Sequence, residues 1–537
     1  MTTNERALRP GAGQLYTVHE AQWWGELDER ERRLLDGALS VSALTHPHRA
    51  LRVLALRGEP DSVPETTGWP TRQMTWPGEA GPVALVGLHT PGTEKADDET
   101  PLDLVVNLGG QRPAFTQVTP TTPSIINRAR FTARTRAPVV FDMLRQQRTD
   151  RLERRATRHV IPQTRSVPRS EDGPQGTGLP PAVLFGLHWL ELGGAERWAL
   201  ECIQAASDAG MVPIVLTDRP STSPWVTRPE MADAIFLPLT SPLEDSQDAA
   251  LLNGLFERFD IRGIHVHHCT WLYERLPWIR ARFPWVPIAD SLHIVEWRTG
   301  GFVDIAVRVS DAIDMHHVVS PQLRDYLILD RGVPREKVAL ATLADLTPTT
   351  RTPAGPSTEG TTIAFVGRLT QQKRPYLFLR LVSRLRRDLP GARFIVHGNG
   401  ELGDEIRAMS RRLRLGDVLE FRSVNHPVSA TLDEADVLVI SSDNEGVTLT
   451  SFEAAAHDAL VISADVGSQR SVVVDDLLCP RHPLQFLSAA RDRVVTAVTD
   501  PAARERWAAE QRRKVDAFAA LPHARAWTRD LYKEWNA

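Results

Sequence analysis

Asp443 to Val466 reads DNEGVTLTSFEAAAHDALVISADV. With VLVIS directly before it and LVISAD at its end, the order is strand, loop, helix, strand, the repeating unit of a parallel α/β sheet. Two carboxylates, Glu445 and Glu453, stand in the turn and on the helix, seven residues between them. Taken alone, Thr450-x-x-Glu453 has the spacing of a capping box, in which a hydroxyl and a carboxylate satisfy the free amides of a helix start. Glu445 is then an ordinary loop carboxylate.

The same alternation extends on both sides. TIAFVG, a helix through Tyr376 to Arg387, ARFIVHG, a helix from Leu402, VLEFR and a short helix near Ser429 precede this stretch. Further upstream, AVLFGL is followed by a Gly-Gly turn and a helix whose Ala195, Trp198, Ala199, Cys202, Ile203 and Ala206 recur at helical spacing. VPIVLT, AIFLPL, GIHVHH, PIADSLH and HHVVS continue it as strands. The fold class is therefore α/β, with two doubly wound Rossmann-like domains facing across a cleft, where such sheets bind ligands beyond the carboxyl ends of their strands. Proline- and glycine-rich breaks give the boundaries: an accessory domain over 1–160, a linker over 161–180, the first doubly wound domain over 181–345, a linker over 346–361 and the second over 362–520. A helix over 521–537 is expected to pack back on the first doubly wound domain.

The accessory third reads as α+β. RVLALRG, PVALVGLHT and DLVVNLGG look like strands, WPTRQMTWPGEAG is turn-like, and RQQRTDRLERRATRH reads as a helix closing an arginine-rich, lysine-free run from Arg128 to Arg158. That run is a solvated helix with Asp142, Asp150 and Glu153 as partners, or a cradle for an anionic acceptor such as a polymer, lipid headgroups or DNA.

A chain of 537 residues exceeds what one core supports. Apolar residues at 42% and charged ones at 24% exclude a disordered or fibrous chain. A net charge of -4 gives no global attraction to nucleic acid or membrane. Cys202, Cys269 and Cys479, odd in number and far apart, suggest neither a disulfide framework nor a Cys-x-x-Cys zinc site. With no secretion leader and no spanning segment in view, the expectation is a cytoplasmic protein that meets a membrane, if at all, from its inner face.

Chemistry concentrates where strands end. Gly367, Arg368 and Lys373 follow IAFV, Gly398 and Gly400 follow FIVH, and the Glu445 loop follows VLVISS, all on the carboxyl edge of one sheet. This suits a diphosphate: Gly367 lets it approach the backbone, Arg368 and Lys373 supply charge, and helix N-termini add amide dipoles. Gly398 and Gly400 keep that approach open. Glu453, placed in a first helical turn, suits a vicinal diol such as a ribose. Glu445, with the amides of Gly446, Val447, Thr448 and Leu449 behind it, suits sugar hydroxyls. Together the two carboxylates span a nucleotide sugar.

Gly367-Arg368 with Lys373, HGNGEL and Glu445-x7-Glu453 resemble the carboxyl-terminal domain of retaining GT-B glycosyltransferases of the GT4 family. LGGAERWALE looks like that family's glycine-rich first loop, GIHVHH like a domain-wall strand, PIADSLHIVEW like its T-L-H loop, and HHVVSPQLRDYLILDRGVPREKV like the stretch before its hinge. The resemblance covers Pro181 onward. It implies that Arg368 and Lys373 neutralise the departing diphosphate, that Glu453 holds the ribose and Glu445 the donor sugar, that Gly193 and Gly194 approach the phosphates from the opposite domain, and that His293 lies by the reacting sugar. It further implies front-face displacement, with the donor phosphate taking the acceptor's proton, and no cofactor or metal. Thr448 stands where the family has proline or glycine, and Thr342-Leu343-Ala344-Asp345 replaces its N-G-V-D.

The expected donor is a nucleoside-diphosphate sugar and the expected acceptor a cell-envelope glycan, a teichoic-acid-like polymer or a lipid-linked saccharide, with DNA or protein as the alternative. A sugar-nucleotide epimerase and a non-catalytic scaffold of the same fold are the rivals. A glycosidase is disfavoured, since its two acids face each other across the scissile bond rather than lining one side of a donor. His265 and His267 share a strand face and offer two metal ligands, but a zinc site needs a third or fourth that the sequence does not place, and a polar strand end at the acceptor side of the cleft is the preferred reading.

Overall fold

The computed structural model describes residues 15–18, 27–46, 51–56, 82–89, 102–109, 125–144, 168–170, 173, 177–191, 193–239, 245–296, 300–346, 360–423 and 425–537. The turn-like WPTRQMTWPGEAG, the helix expected over 145–159 and most of both linkers lie outside the described residues.

Four strands form the first sheet: β1 (Thr17–Val18), β2 (Leu51–Leu56), β3 (Pro82–His89) and β4 (Leu102–Asn107), in the order β1-β3-β2-β4. Strand β3 is antiparallel to both neighbours and β2 pairs with β4 in parallel. A helix over Glu29–Thr45, unforeseen from the sequence, opens with a capping box of Asp28 and Glu31. Its buried Leu35, Leu39, Ala43 and Leu44 join the apolar core of the next domain. A methyl on Gly37 would stand 2.6 Å from Pro238 Cδ, so the helix rests directly on a strand of that domain.

The front domain is a seven-stranded parallel sheet of β5 (Pro181–Leu187), β6 (Val212–Thr217), β7 (Ile235–Pro238), β8 (Asp260–His267), β9 (Ile288–Leu292), β10 (Met315–Val318) and β11 (Val338–Leu340), ordered β11-β10-β9-β8-β5-β6-β7. The chain reverses its winding between β5 and β8, which puts the ligand crevice of such a sheet at their carboxyl ends. The rear domain is a six-stranded parallel sheet of β12 (Thr362–Val366), β13 (Arg393–His397), β14 (Leu419–Arg422), β15 (Val437–Ile440), β16 (Leu460–Ala464) and β17 (Leu478–Cys479), ordered β14-β13-β12-β15-β16-β17. Its switch point lies between β12 and β15.

Contacts cross between the domains at several points. Val447 and Leu449 of the rear domain pack on the front core, Ser468 Oγ lies 2.6 Å from Ser320 Oγ, and Ser471 donates to Gln322 at 2.5 Å. The helix Ala524–Asn536 lies against the helix Gly194–Asp208 and β8, with Trp535 against Gly263, where a methyl would sit 2.1 Å from the indole.

The described part of the arginine-rich run, a helix over Ile125–Arg136 and a second over 138–144, lies on the rear domain rather than free in solvent. Arg134 pairs with Glu405 at 3.2 Å, and Arg412 donates to the Thr135 carbonyl. Asp142, expected to neutralise neighbouring arginines, instead sits fully buried against Arg374. Arg134 and Asp142 are thus spent on docking rather than on a solvated helix, while the arginines from 145 to 158 lie outside the described residues.

Candidate active site

At the rear switch point the chain leaves β12 through Gly367, whose φ of +154° and empty surroundings, with nothing nearer than Lys373 Cδ at 4.0 Å, leave room beside the backbone. Gly398 and Gly400 serve another purpose than the one expected. A methyl on Gly398 would stand 2.0 Å from the Gly367 carbonyl oxygen, and one on Gly400 would stand 2.6 Å from that of Leu369. These two glycines let neighbouring loops touch, so they shape the site instead of opening it. Arg368 is exposed on the same loop.

Lys373 Nζ lies 2.5 Å from Glu445 Oε1, and Ser442 Oγ donates to the same oxygen at 2.5 Å. The sequence reading assigned these two charges to opposite ends of a ligand. The structure makes them an ion pair, because a carboxylate as buried as Glu445 needs a cation and a hydroxyl to replace water. The Glu445 loop is pinned from both sides. A methyl on Gly446 would meet the His293 carbonyl oxygen at 2.1 Å across the cleft, and one on Gly467 would meet the Glu445 carbonyl oxygen at 1.6 Å.

The capping box at Thr450 and Glu453 does not form. The helix begins earlier, over Leu449–Ala456 with Thr448 as its N-cap, and the Thr448 hydroxyl is held by Gln469 Nε2 at 2.6 Å. Glu453 consequently sits in the second turn rather than the first. Burial raises its pKa above the usual carboxylate value, with Arg197 of the front domain and then His457 pulling the other way. Among the described residues its carboxylate has no side-chain hydrogen bond, so it remains available.

The front switch point is built from imidazoles. His188 follows β5, His267 and His268 end β8, and His293 follows β9. His268, at φ +59°, stacks on Phe302 at 4.6 Å and presents an edge to His293 at 5.1 Å. Among the described residues His188 Nδ1, both His267 nitrogens, His268 Nε2, His293 Nε2 and Asp218 Oδ1 are buried without a hydrogen-bond partner. Burial holds His293 well below the ordinary imidazole range and takes His268 down to about 3. These two imidazoles are therefore polar but uncharged.

The Gly193-Gly194 turn differs from expectation. Glu196 curls back into it, accepting from Trp189 Nε1 at 2.9 Å and lying 2.8 Å from His188 Nε2, and a methyl on Gly193 would fall 1.9 Å from Glu196 Oε2. Burial opposes its ionisation, but the His188 contact together with hydrogen bonds from its own backbone amide and Trp189 outweighs that, and its pKa stays lowered. The chain's own carboxylate already occupies this helix N-terminus, so approach of a phosphate at Gly193 is corrected; beside Gly194 the space is open.

A third atom does stand near the paired histidines. Cys202 Sγ and one nitrogen each of His265 and His267 lie within 4.8 Å of one another. Both His265 nitrogens are already engaged, by Tyr532 Oη at 2.6 Å and Ser291 Oγ at 2.9 Å, and Cys202 lies 4.0 Å from Thr528 Oγ1. His265 is thus a core residue under the Ala524–Asn536 helix and not part of an acceptor wall.

Sequence reading missed His188, Glu196 and His268, and also Gln372, Arg374, Asp443 and Ser442 around the Lys373–Glu445 pair. Their positions after strand ends were a usable signal; their partners, far along the chain, were not.

Residues 360–494 match the family model for glycosyl transferases group 1. That match falls within the rear domain. The chain is 28% identical over 315 residues to the D-inositol 3-phosphate glycosyltransferase of Kineococcus radiotolerans, covering 50% of this chain and 71% of that one. It is 25% identical over 279 residues to a glycogen synthase of Mycobacterium tuberculosis, covering 47% and 64%. The crystal structure of a glycosyltransferase from Rickettsia africae superposes with a TM-score of 0.51 at 13% identity, over 66% of this chain and 98% of its own, a likeness of fold. The two facing sheets are the GT-B arrangement. The matched stretch includes Gly367, Arg368, Lys373, Glu445 and Glu453.

Proposed function

We propose that the chain is a retaining glycosyltransferase of the GT4 type, moving a sugar from a nucleoside-diphosphate donor to an acceptor hydroxyl. The observation that carries this reading is the Lys373–Glu445 pair, seated at the rear switch point and facing His293 across Gly446. Arg368 and Lys373 balance the charge on the departing diphosphate, Glu445 and the amides from Gly446 to Leu449 hold the sugar, and Glu453 takes the ribose diol. The bond from the anomeric carbon to the phosphate oxygen breaks, the acceptor oxygen bonds to the same face, and the acceptor's proton passes to the departing oxygen. Stabilising that oxygen is then the main catalytic task.

The acceptor is proposed to lie on the front wall, where uncharged imidazoles with unused nitrogens match hydroxyl groups better than anions. A cell-envelope glycan, a hydroxyl-bearing polymer or a lipid-linked saccharide, met at the cytoplasmic side, fits that chemistry. Neither an epimerase nor a scaffold accounts for two differently built walls.

Thermal shift of the purified chain with UDP-, GDP- and ADP-sugars identifies the donor, since a ligand at 100 times its Kd stabilises by about 2.7 kcal/mol. Donor hydrolysis is then measured with EDTA. Activity is expected to persist; complete loss rescued by a divalent ion would count against two side-chain cations doing this work.

A further inference from the structure

We infer that Asp142 is a positioning residue for the donor site: from the N-terminal third it braces, through Arg374, the two rear loops that carry Lys373 and Glu445. This rests on the transferase reading only for its effect on donor, not for the brace itself.

Arg374 follows Lys373 directly and is 1% exposed, with a left-handed φ of +50°. Its guanidinium lies between two carboxylates, with Nε donating to Asp142 Oδ2 at 3.2 Å and Nη2 2.7 Å from Asp443 Oδ1. Nη1 donates to the Arg481 carbonyl. Gln371, on the same loop, donates to the other Asp142 oxygen at 2.6 Å. One carboxylate thus holds two residues of the 368–374 loop.

The second loop is tied to the first by its own bonds. Asp443 N donates to the Gln372 carbonyl at 2.7 Å, Gln372 Nε2 to the Asn444 carbonyl at 3.0 Å, and Ser441 Oγ lies 3.0 Å from the carbonyl oxygens of both Lys373 and Arg374. Asp142 therefore reaches both loops that carry the Lys373–Glu445 pair through one intermediate side chain, although 231 positions separate it from Lys373 (373 − 142). A buried cation between two acids fixes loop geometry more tightly than solvent-exposed pairs do, because each partner left alone is an uncompensated charge. Misplacement of reacting groups by about 1 Å costs on the order of 100-fold in rate.

The test compares wild type with Asp142→Asn, which keeps the shape and removes the charge, and with Arg134→Ala, which loosens the same segment at Glu405 and at the Phe141 ring without touching Arg374. Hydrogen exchange is followed over 368–374 and 441–447, together with kcat and KM for donor hydrolysis and circular dichroism for fold. Asp142→Asn is expected to speed exchange in both loops, leave the Pro375–Asp388 helix protected, and lower kcat roughly 10- to 100-fold. Arg134→Ala is expected to change neither loop exchange nor kcat. Unchanged loop exchange and kcat in a folded Asp142→Asn overturn the inference, as does an equal effect from Arg134→Ala. Faster loop exchange in a protein whose wild type neither binds nor hydrolyses any donor upholds the brace and overturns the transferase reading. If Asp142→Asn does not fold, Asp142→Glu serves instead: it retains the charge but displaces it by one methylene, and loop exchange and kcat intermediate between wild type and none are expected; wild-type values overturn the inference.

Discussion

The two walls of the cleft handle charge in opposite ways. On the rear wall Lys373, Glu445, Arg374 and Asp443 form paired charges on tightly abutting loops. On the front wall His188, His268 and His293 are buried, each with one ring nitrogen lacking a partner among the described residues, and burial holds the last two uncharged at neutral pH. A site with a fixed cation on one side and neutral donors or acceptors on the other separates the place where negative charge develops from the place where a hydroxyl must stay reactive. Transition-state stabilisation and acceptor recognition are thereby assigned to different domains.

Removal of the rear cation attacks this contrast most directly. Lys373→Ala is expected to lower kcat for donor hydrolysis about 100- to 1,000-fold, the usual loss when one group facing a developing charge is deleted. Steady-state kinetics check it, and a loss below about tenfold would mean that the rear wall does not carry the charge.

Glu453→Gln tests a carboxylate of the rear wall that has no such partner. Donor affinity is expected to fall about tenfold, equivalent to about 1.4 kcal/mol for hydrogen bonds to a charged group, as read by calorimetric titration. Stability should move the other way. A carboxyl whose folded pKa lies above its ordinary value of 4.5 contributes stability at low pH that is lost as pH rises through the folded value. At neutral pH the ionised side chain therefore destabilises the fold, and the glutamine variant should melt at a higher temperature.

The front wall responds to acid. Burial takes His268 from 6.5 to about 3, and His317, in the core on β10 behind that wall, to about 4, so the unfolded chain binds protons below about 6.5 that the folded chain refuses. Stability is then full above 6.5 and falls toward those lower values, by up to about 1.4 kcal/mol per pH unit for each histidine. His268→Asn, tolerant of the left-handed backbone there, should flatten that fall between pH 6 and 4.5 in urea titrations. An unchanged slope would mean that the front wall is already charged.

What could be read from sequence followed the range of the interactions. Apolar strand runs and the glycines between them are local, and both parallel sheets were visible from TIAFVG, VLVIS, AVLFGL and their neighbours. Local signals were nevertheless misassigned. The capping box seen at Thr450 and Glu453 is absent, while Asp28 and Glu31, at the same spacing and overlooked, form one. Gly398 and Gly400 were singled out for ligand approach, whereas what each closely meets is the backbone of the loop from Gly367 to Leu369. The pairing of Asp142 with Arg374 joins residues 232 positions apart, and no periodicity or spacing announces such a contact.

The helix Ala524–Asn536 finishes a domain whose first strand begins at Pro181. Tyr532 reaches His265, and Trp535 covers Gly263, so a large part of the front sheet's cover is encoded after the whole rear domain. During translation the rear domain can therefore reach its native form while the front one still waits for its last helix to leave the ribosome. Tags, fusions or stop codons placed near residue 520 would be expected to injure the distant half of the protein rather than the adjacent one.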